Sequence, residues 1–258
     1  MSASPTSPVL PPNHAEMPES AAGGKQLRSD GIEARTRLLD AALGLFADKG
    51  FAKTSTREIA QAAQVNVASI SYYFGDKAGL YRAVWTDPRC NPDCGFTDGA
   101  VTGLSLPDAL RGMLRGFVEP LKQGELTQRS MKLHFREMLE PTGVWQQEID
   151  NNIKPSHMAL VGLLCRHLGV TEADDDVHRM CFSIAGLGMM LHVAGDVFAA
   201  IRPQLVASPK ALDVYGERLL IYALALVEAE RQRRDALVSN ALTTHTPKSR
   251  KSTLKKSP

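Results

Sequence analysis

The residues most able to do chemistry lie between Thr54 and Lys77. Ser55 and Glu58 stand three apart, the spacing at which a hydroxyl and a carboxylate each satisfy a free amide at a helix start. Asn66 is a suitable cap for a second short helix, Gly75 stops it, and Asp76 caps the next. Among these caps are an arginine, several hydroxyl side chains and two adjacent tyrosines, groups suited to hydrogen bonding. Nothing in the chain has the pattern of a catalytic centre: there is no glycine-rich phosphate loop, no Gly-x-Ser-x-Gly elbow and no His-Glu-x-x-His pair. The sequence therefore predicts no enzyme, no catalytic residue and no cofactor. Cys90 and Cys94 flank Asn91-Pro92-Asp93, but two thiols without a neighbouring histidine do not make a closed zinc site. No metal ligand is assigned, and the segment reads as a plain loop, a redox or metal switch being the alternative.

The elements that must position these groups follow from apolar spacing. A first helix is expected from near Asp30, with Glu33 as reciprocal cap, carrying Leu39, Ala42, Leu43 and Phe46 on one buried face. Gly50 should end it as a left-handed cap. A short second helix runs from Ser55 through Ile59 and Ala60 to about Ala63, a turn follows at Gln64-Val65, and a third helix covers residues 67–74. Ile59, Val65, Ile70 and Phe74 are spaced to bury against helix 1. Small Ala60 permits the close crossing of a helix-turn-helix, which leaves the opposite face free for DNA.

Thr56-Arg57-Glu58-Ile59-Ala60, Ser71-Tyr72-Tyr73-Phe74-Gly75-Asp76-Lys77 and Leu80-Tyr81 together resemble the DNA-binding head of the tetracycline-repressor (TetR) family, over about residues 32–84. The resemblance implies that the third helix enters the major groove, with Val67, Ala68, Ser69 and Ser71 facing base edges. Arg57 would approach from helix 2, either to read guanine or to clamp a phosphate, and Thr54 and Thr56 join the DNA-contacting set. Tyr72 and Tyr73 would reach phosphates, although one of them could instead be core, and Lys77 would help the helix amides grip another phosphate. Two departures stand out: Gln64 occupies a turn position where glycine is frequent and would have to accept positive φ, and Gly75 replaces a frequent lysine.

The rest of the chain is also helical in period, with expected helices at about 106–122, 127–139, 144–168, 173–200 and 210–236. The fold class is all-α: a three-helix DNA-binding head at 28–85 and a helical ligand-binding and dimerisation domain at 86–240. By the resemblance, the last two long helices pair with those of a second copy. Gly186, Gly188 and Ala194 would allow close approach, and Leu212, Leu219, Leu220, Leu224 and Val227 would supply the apolar stripe; use of these stripes inside one subunit is the alternative. The stretch Phe135-Arg136-Glu137-Met138-Leu139-Glu140-Pro141-Thr142 resembles the regulatory domain of the CecR-like branch, implying a xenobiotic or toxic ligand. A small-molecule pocket is expected to draw on Met113, Phe117, Met131, His134, Met138, Trp145, Ile149, His157 and Met158, flexible or aromatic groups that suit an adaptable apolar site. Arg136 and Glu137 read as an ion pair or a solvated face.

Composition sets the outer limits. The 258 residues are 43% hydrophobic with a formal net charge of +2, enough for a substantial core but too bland a charge to mark a nucleic-acid binder. Four cysteines and no secretory signal point to a reducing cytoplasm. The apolar run 184–193 is broken by Gly186, Gly188 and His192 and is far short of a membrane span, so no membrane partner is expected. Residues 1–27 read as a disordered tail. Residues 241–258, with Lys248, Arg250, Lys251, Lys255 and Lys256, read as a basic disordered tail, either solvated or an auxiliary phosphate-contacting arm. The expected function is a dimeric DNA-binding regulator, a repressor on a palindromic double-stranded operator. It would be released by a small-molecule effector and would control efflux or detoxification genes. An activator or adaptor with the same head and no inducer is the alternative.

Overall fold

A computed structural model of the protein describes residues 20–89 and 96–244, with side chains between Asp30 and Asn240. The Cys90–Cys94 loop and most of both expected tails lie outside these residues. Among the described residues the chain is helical, with no strand.

The head is built from α1 (Ser20–Lys53), α2 (Thr56–Ala62), α3 (Ala68–Phe74) and α4 (Lys77–Trp85). Helix α1 begins ten residues before the expected cap at Asp30, so part of the stretch read as a disordered tail is helical. Once a helix is nucleated each further residue adds at low cost, and alanine, glutamine, lysine and arginine between 21 and 28 favour its extension. Gly50 breaks α1 at φ 79, ψ 168, a conformation open essentially to glycine but extended rather than the left-handed helical cap expected. Leu38, Leu39, Ala42, Leu43, Phe46, Ile59, Ile70, Leu80, Tyr81 and Val84 bury one core, which Leu133 and Val144 of the second domain complete.

That second domain contains α5 (Asp98–Val101), which the periodicity did not show, α6 (Leu106–Lys122), α7 (Glu125–Leu139) and α8 (Trp145–Glu148). A π turn (Ile149–Ile153), α9 (Lys154–Leu168), α10 (Asp175–Val193), α11 (Gly195–Ile201) and α12 (Pro209–Thr244) follow. The expected helix at 144–168 is thus continuous in path but widened to π geometry just before Pro155, whose missing N–H and ring displace the regular ladder. The expected helix at 173–200 breaks at Ala194-Gly195, where α11 turns by 72°. No single described helix is long and apolar enough to cross a membrane.

The core of this domain lies between α6, α9, α10 and α12. It corrects the expected pairing surface: Leu212, Leu219, Leu220 and Val227 are buried against the subunit's own helices, with Leu224 packed beside them. Gly188 faces inward, where a Cβ would come within 2.4 Å of the Phe117 ring, and Ala194 is buried too. The apolar residues that α10 and α12 leave outside include Phe182, Met190, Val193, Val214, Ile221 and Tyr222, and Gly186 opens toward solvent with nothing within 4 Å.

Helix α7 fastens the two domains together. Arg136 donates to the carbonyls of Ala47 (3.3 Å) and Asp48 (3.2 Å), placing a cation on the C-terminal end of the long segment of α1. Lys132 meets the Asp48 carboxylate at 2.6 Å and, by that bond, lowers its pKa.

Candidate nucleic-acid interface

The start of α2 is set by the reciprocal bonds its sequence predicts. The Ser55 hydroxyl accepts from the Glu58 amide (3.2 Å), and the Ser55 amide donates to the Glu58 carboxylate (2.9 Å). Lys49 also bonds Glu58 at 2.8 Å, and its proton donation, ahead of the Ser55 bonds, holds that carboxyl at about 2. Helix α3 starts where the Asn66 side chain accepts from the Ala68 amide (2.9 Å). Gln64 takes φ 55 in the turn before it, the strained conformation expected of a non-glycine there. Gly75, at φ 80, ends α3, and Asp76 caps α4 through the Gly79 amide (2.6 Å).

This frame turns one side of α3 outward. Val67, Ala68, Ser71 and Tyr72 are exposed, Tyr72 to 82%, and Ser69 is half-buried at the edge of the same face. Arg57 is exposed on α2 with no ion partner among the described residues, and Thr56 is half-buried beside it. Tyr73 is the tyrosine of the pair that turns inward: it packs on the head core, and its hydroxyl lies 3.3 Å from the place of a Cβ on Gly31.

Two of the assigned DNA contacts have other work in this geometry. Thr54 is 1% exposed, and its hydroxyl donates to the carbonyls of Gly50 (2.8 Å) and Leu45 (3.2 Å). Thr54 ties these two carbonyls on either side of the Gly50 break from inside the head, out of reach of a duplex. Lys77 does not stand free as a phosphate cation: its ammonium donates to the carbonyls of Phe51 (2.9 Å) and Thr54 (3.0 Å) and lies 4.3 Å over the Phe51 ring. It braces the first turn of α4 against the α1–α2 joint.

Residues 38–84 match the family described as bacterial regulatory proteins, tetR family. Residues 106–225 match the C-terminal domain of the HTH-type transcriptional dual regulator CecR. The HTH-type transcriptional regulator YvkB of Bacillus subtilis (strain 168) is 32% identical over 190 residues, 70% of this chain and 95% of that protein. The chain belongs to the TetR family of transcriptional regulators. Its C-terminal domain is CecR-like, as the 106–225 match states. YttP, also from B. subtilis, is 51% identical over 49 residues, a match that spans only 24% of that protein's length. A crystal structure of a HlyIIR mutant shares the fold, with a TM-score of 0.50 at 23% identity over 73% of this chain and 94% of that one. The protein is accordingly a transcriptional regulator with a DNA-binding head and not an enzyme.

In this TetR-family chain the residues assigned to a ligand pocket do not share one site. His134 and Trp145 come together: the imidazole stacks on Trp85 of α4 (5.0 Å between centroids, 13°) and meets the edge of Trp145 at 5.6 Å. Its Nε2 lies 3.6 Å from the buried Glu148, and burial lowers its pKa against the pull of Glu148 and Glu137. Met113 packs on the core of the second domain. Phe117 faces Gly188 there, and its carbonyl is 2.7 Å from His192 Nε2. His157 pairs with His178 on α10 (2.9 Å) beside exposed Phe182, and Met158 is half exposed. Met131, Met138 and Ile149 are half-buried. The clefts of about 240 Å³ between α6 and α12 and about 460 Å³ between α1, α2 and α7 are lined by none of these residues.

Sequence reasoning missed the importance of Trp85, whose partner lies 49 positions away, and misread Glu137. That residue is neither paired with Arg136 nor solvated: it is fully buried and accepts from Tyr81, while Arg136 pairs with Glu140 at 3.0 Å. A carboxylate flanked by Phe135 and Met138 in an otherwise amphipathic helix was the signal available.

Proposed function

We propose that the protein acts as a homodimeric repressor in the cytoplasm, holding a palindromic operator until a small-molecule effector releases it. The observation that carries this reading is the outward face of α3, with Val67, Ala68, Ser71 and Tyr72 exposed and Arg57 beside them on α2. Short apolar and hydroxyl side chains suit thymine methyls and single hydrogen bonds in the major groove, and Arg57 supplies the guanine or phosphate contact. A second copy is supported by the unpartnered apolar face of α10 and α12, which includes Phe182, Met190, Val214 and Ile221. Two heads joined through that face would fit adjacent major grooves about one turn apart. His134, Trp145 and their neighbours are the effector-facing set favoured here, because they touch α4 directly through Trp85. Release then follows if the effector prefers another arrangement of α4, by no more than its difference in affinity for the two. The CecR-like domain supports efflux or detoxification genes as targets.

Activation at some promoters is a second reading, favoured by the dual-regulator description of the matching C-terminal family. Duplexes selected from random DNA on the wild-type protein, placed before a reporter with and without the intact gene, distinguish the two. Repression predicts higher output on deletion, and activation predicts lower.

A further inference from the structure

A carboxylate removed from water is tolerated only when its oxygens are fully satisfied, and removing one partner exposes the whole desolvation cost. Glu137 on α7 is such a group, 0% exposed, and none of its hydrogen-bond partners is a cation. The Tyr81 hydroxyl donates to Oε2 at 2.5 Å, and the amide and hydroxyl of Thr142 donate to Oε1 at 2.6 and 3.0 Å. Tyr81 belongs to α4, whereas Thr142 belongs to the loop between α7 and α8. One turn further along α4, Trp85 stacks on His134, one turn back on α7. Helix α4 is therefore pinned to the second domain at two successive turns, one of them by a hydrogen bond to a fully buried carboxyl group.

What is done to α4 is passed to α3. A Cβ on Gly79 would sit 1.9 Å from the Phe74 carbonyl, so the end of α3 and the first turn of α4 are in backbone contact with no room to slide. Ile70 and Leu80, both buried in the same core, lock the two helices side by side. A change in the angle of α4 becomes a change in the angle of the DNA-facing helix.

We propose that Glu137 is a positioning residue for DNA binding: through Tyr81 and Thr142 it fixes the angle at which each head is presented to its half of the operator. This rests on the reading that two heads engage one palindrome. The bond sets the relation between heads rather than the contacts any one head makes. Losing it should therefore weaken binding to the whole site and spare binding to half of it.

The test uses the full chain and duplexes selected from random DNA on the wild-type protein, as the complete palindrome and as a single half-site. Tyr81→Phe removes only the hydroxyl. The expected result is a loss of about tenfold or more in affinity for the complete site, in the range of ordinary intersite coupling, with half-site affinity unchanged. Tryptophan emission should shift to longer wavelength in the same samples, since Trp85 and Trp145, the chain's two tryptophans, both touch His134. Should Tyr81→Phe be too unstable to assay, Thr142→Val removes one donor, keeps the backbone bond, and should show the same pattern at smaller amplitude. Full-site affinity equal to wild type, or full-site and half-site affinity falling together, overturns the positioning role. A wild-type protein that binds the half-site as tightly as the palindrome instead removes the two-headed reading, and the latch with it.

Discussion

Replacing Lys77 by methionine separates a brace from a phosphate contact. The substitution keeps the apolar stem and deletes the ammonium, along with its bonds to the carbonyls of Phe51 (2.9 Å) and Thr54 (3.0 Å) and its place over the Phe51 ring. A hydrogen bond to a charged donor contributes about 1.5–3 kcal/mol. The site is half-buried, so water can rehydrate the freed carbonyls and each bond is discounted to about 1 kcal/mol, the net value of an ordinary hydrogen bond. Methionine retains van der Waals contact with the ring but forfeits the cation–π part, about 0.5 kcal/mol where water has access. The sum is a loss of about 2.5 kcal/mol, a fall of roughly 5–10 °C in the melting temperature of a chain this size. The second half of the assay is operator affinity as a function of salt. Every DNA phosphate deprived of its neutralising cation should reduce the slope of log K against log salt by about 0.9, nearly 2 for a dimer. A brace predicts a lower melting temperature with the slope unchanged. An unchanged melting temperature with a slope reduced by nearly 2 would refute this reasoning and make Lys77 a DNA ligand.

Thr54→Val should cost about 1 kcal/mol of stability, because two carbonyls near the Gly50 break lose their hydroxyl donor, while operator affinity per folded molecule stays the same. Titration of active protein against the selected duplex measures the second quantity, and a specific loss of affinity would restore Thr54 to the interface. Gly188→Ala should destabilise by about 1–3 kcal/mol, since the new methyl meets the Phe117 ring at 2.4 Å. Gly186→Ala on the same helix should leave the subunit fold at least as stable, which thermal melts of the pair compare directly. Burial lowers the pKa of His134, His157 and His192. Each therefore binds its proton less readily folded than unfolded, so the stability it contributes is complete above the ordinary imidazole value of 6.5 and lost as pH falls through the lower folded value. Denaturant midpoints at pH 7.5 and 5.5 should show the decline, and a midpoint that rises on acidification would contradict it.

The head was legible because its signals are local. A capping box, two glycines and a cap aspartate each act within four residues, so their types fix the break in α1, the start of α2, the end of α3 and the start of α4 without knowledge of the rest. Gln64 shows the same locality, its positive φ following from the turn alone. What the pattern could not assign was the partner of a buried face. Leu212, Leu219, Leu220 and Val227 mark a stripe that must leave water, but periodicity does not say whether α6 of the same chain or a second copy covers it, and here it is the same chain. Glu137 and Lys77 escaped for a related reason. A charged residue is ordinarily solvated. What reverses that expectation is a group 56 residues away for Glu137 and 23 and 26 residues away for Lys77. Among the residues proposed to face an effector, His134 and Trp145 could be picked out by type, but their contact with Trp85 comes from the far end of the head.

Hydroxyl-radical footprinting of the selected duplex tests the central claim most directly, that α3 is presented outward twice to neighbouring major grooves. The account predicts two protected patches on one face of the duplex, centred about one helical turn or a whole number of turns apart. Substituting Ser71 or Arg57 should weaken both patches together. A single patch that persists at saturating protein, or the absence of protection on any duplex while the protein remains folded, would contradict it.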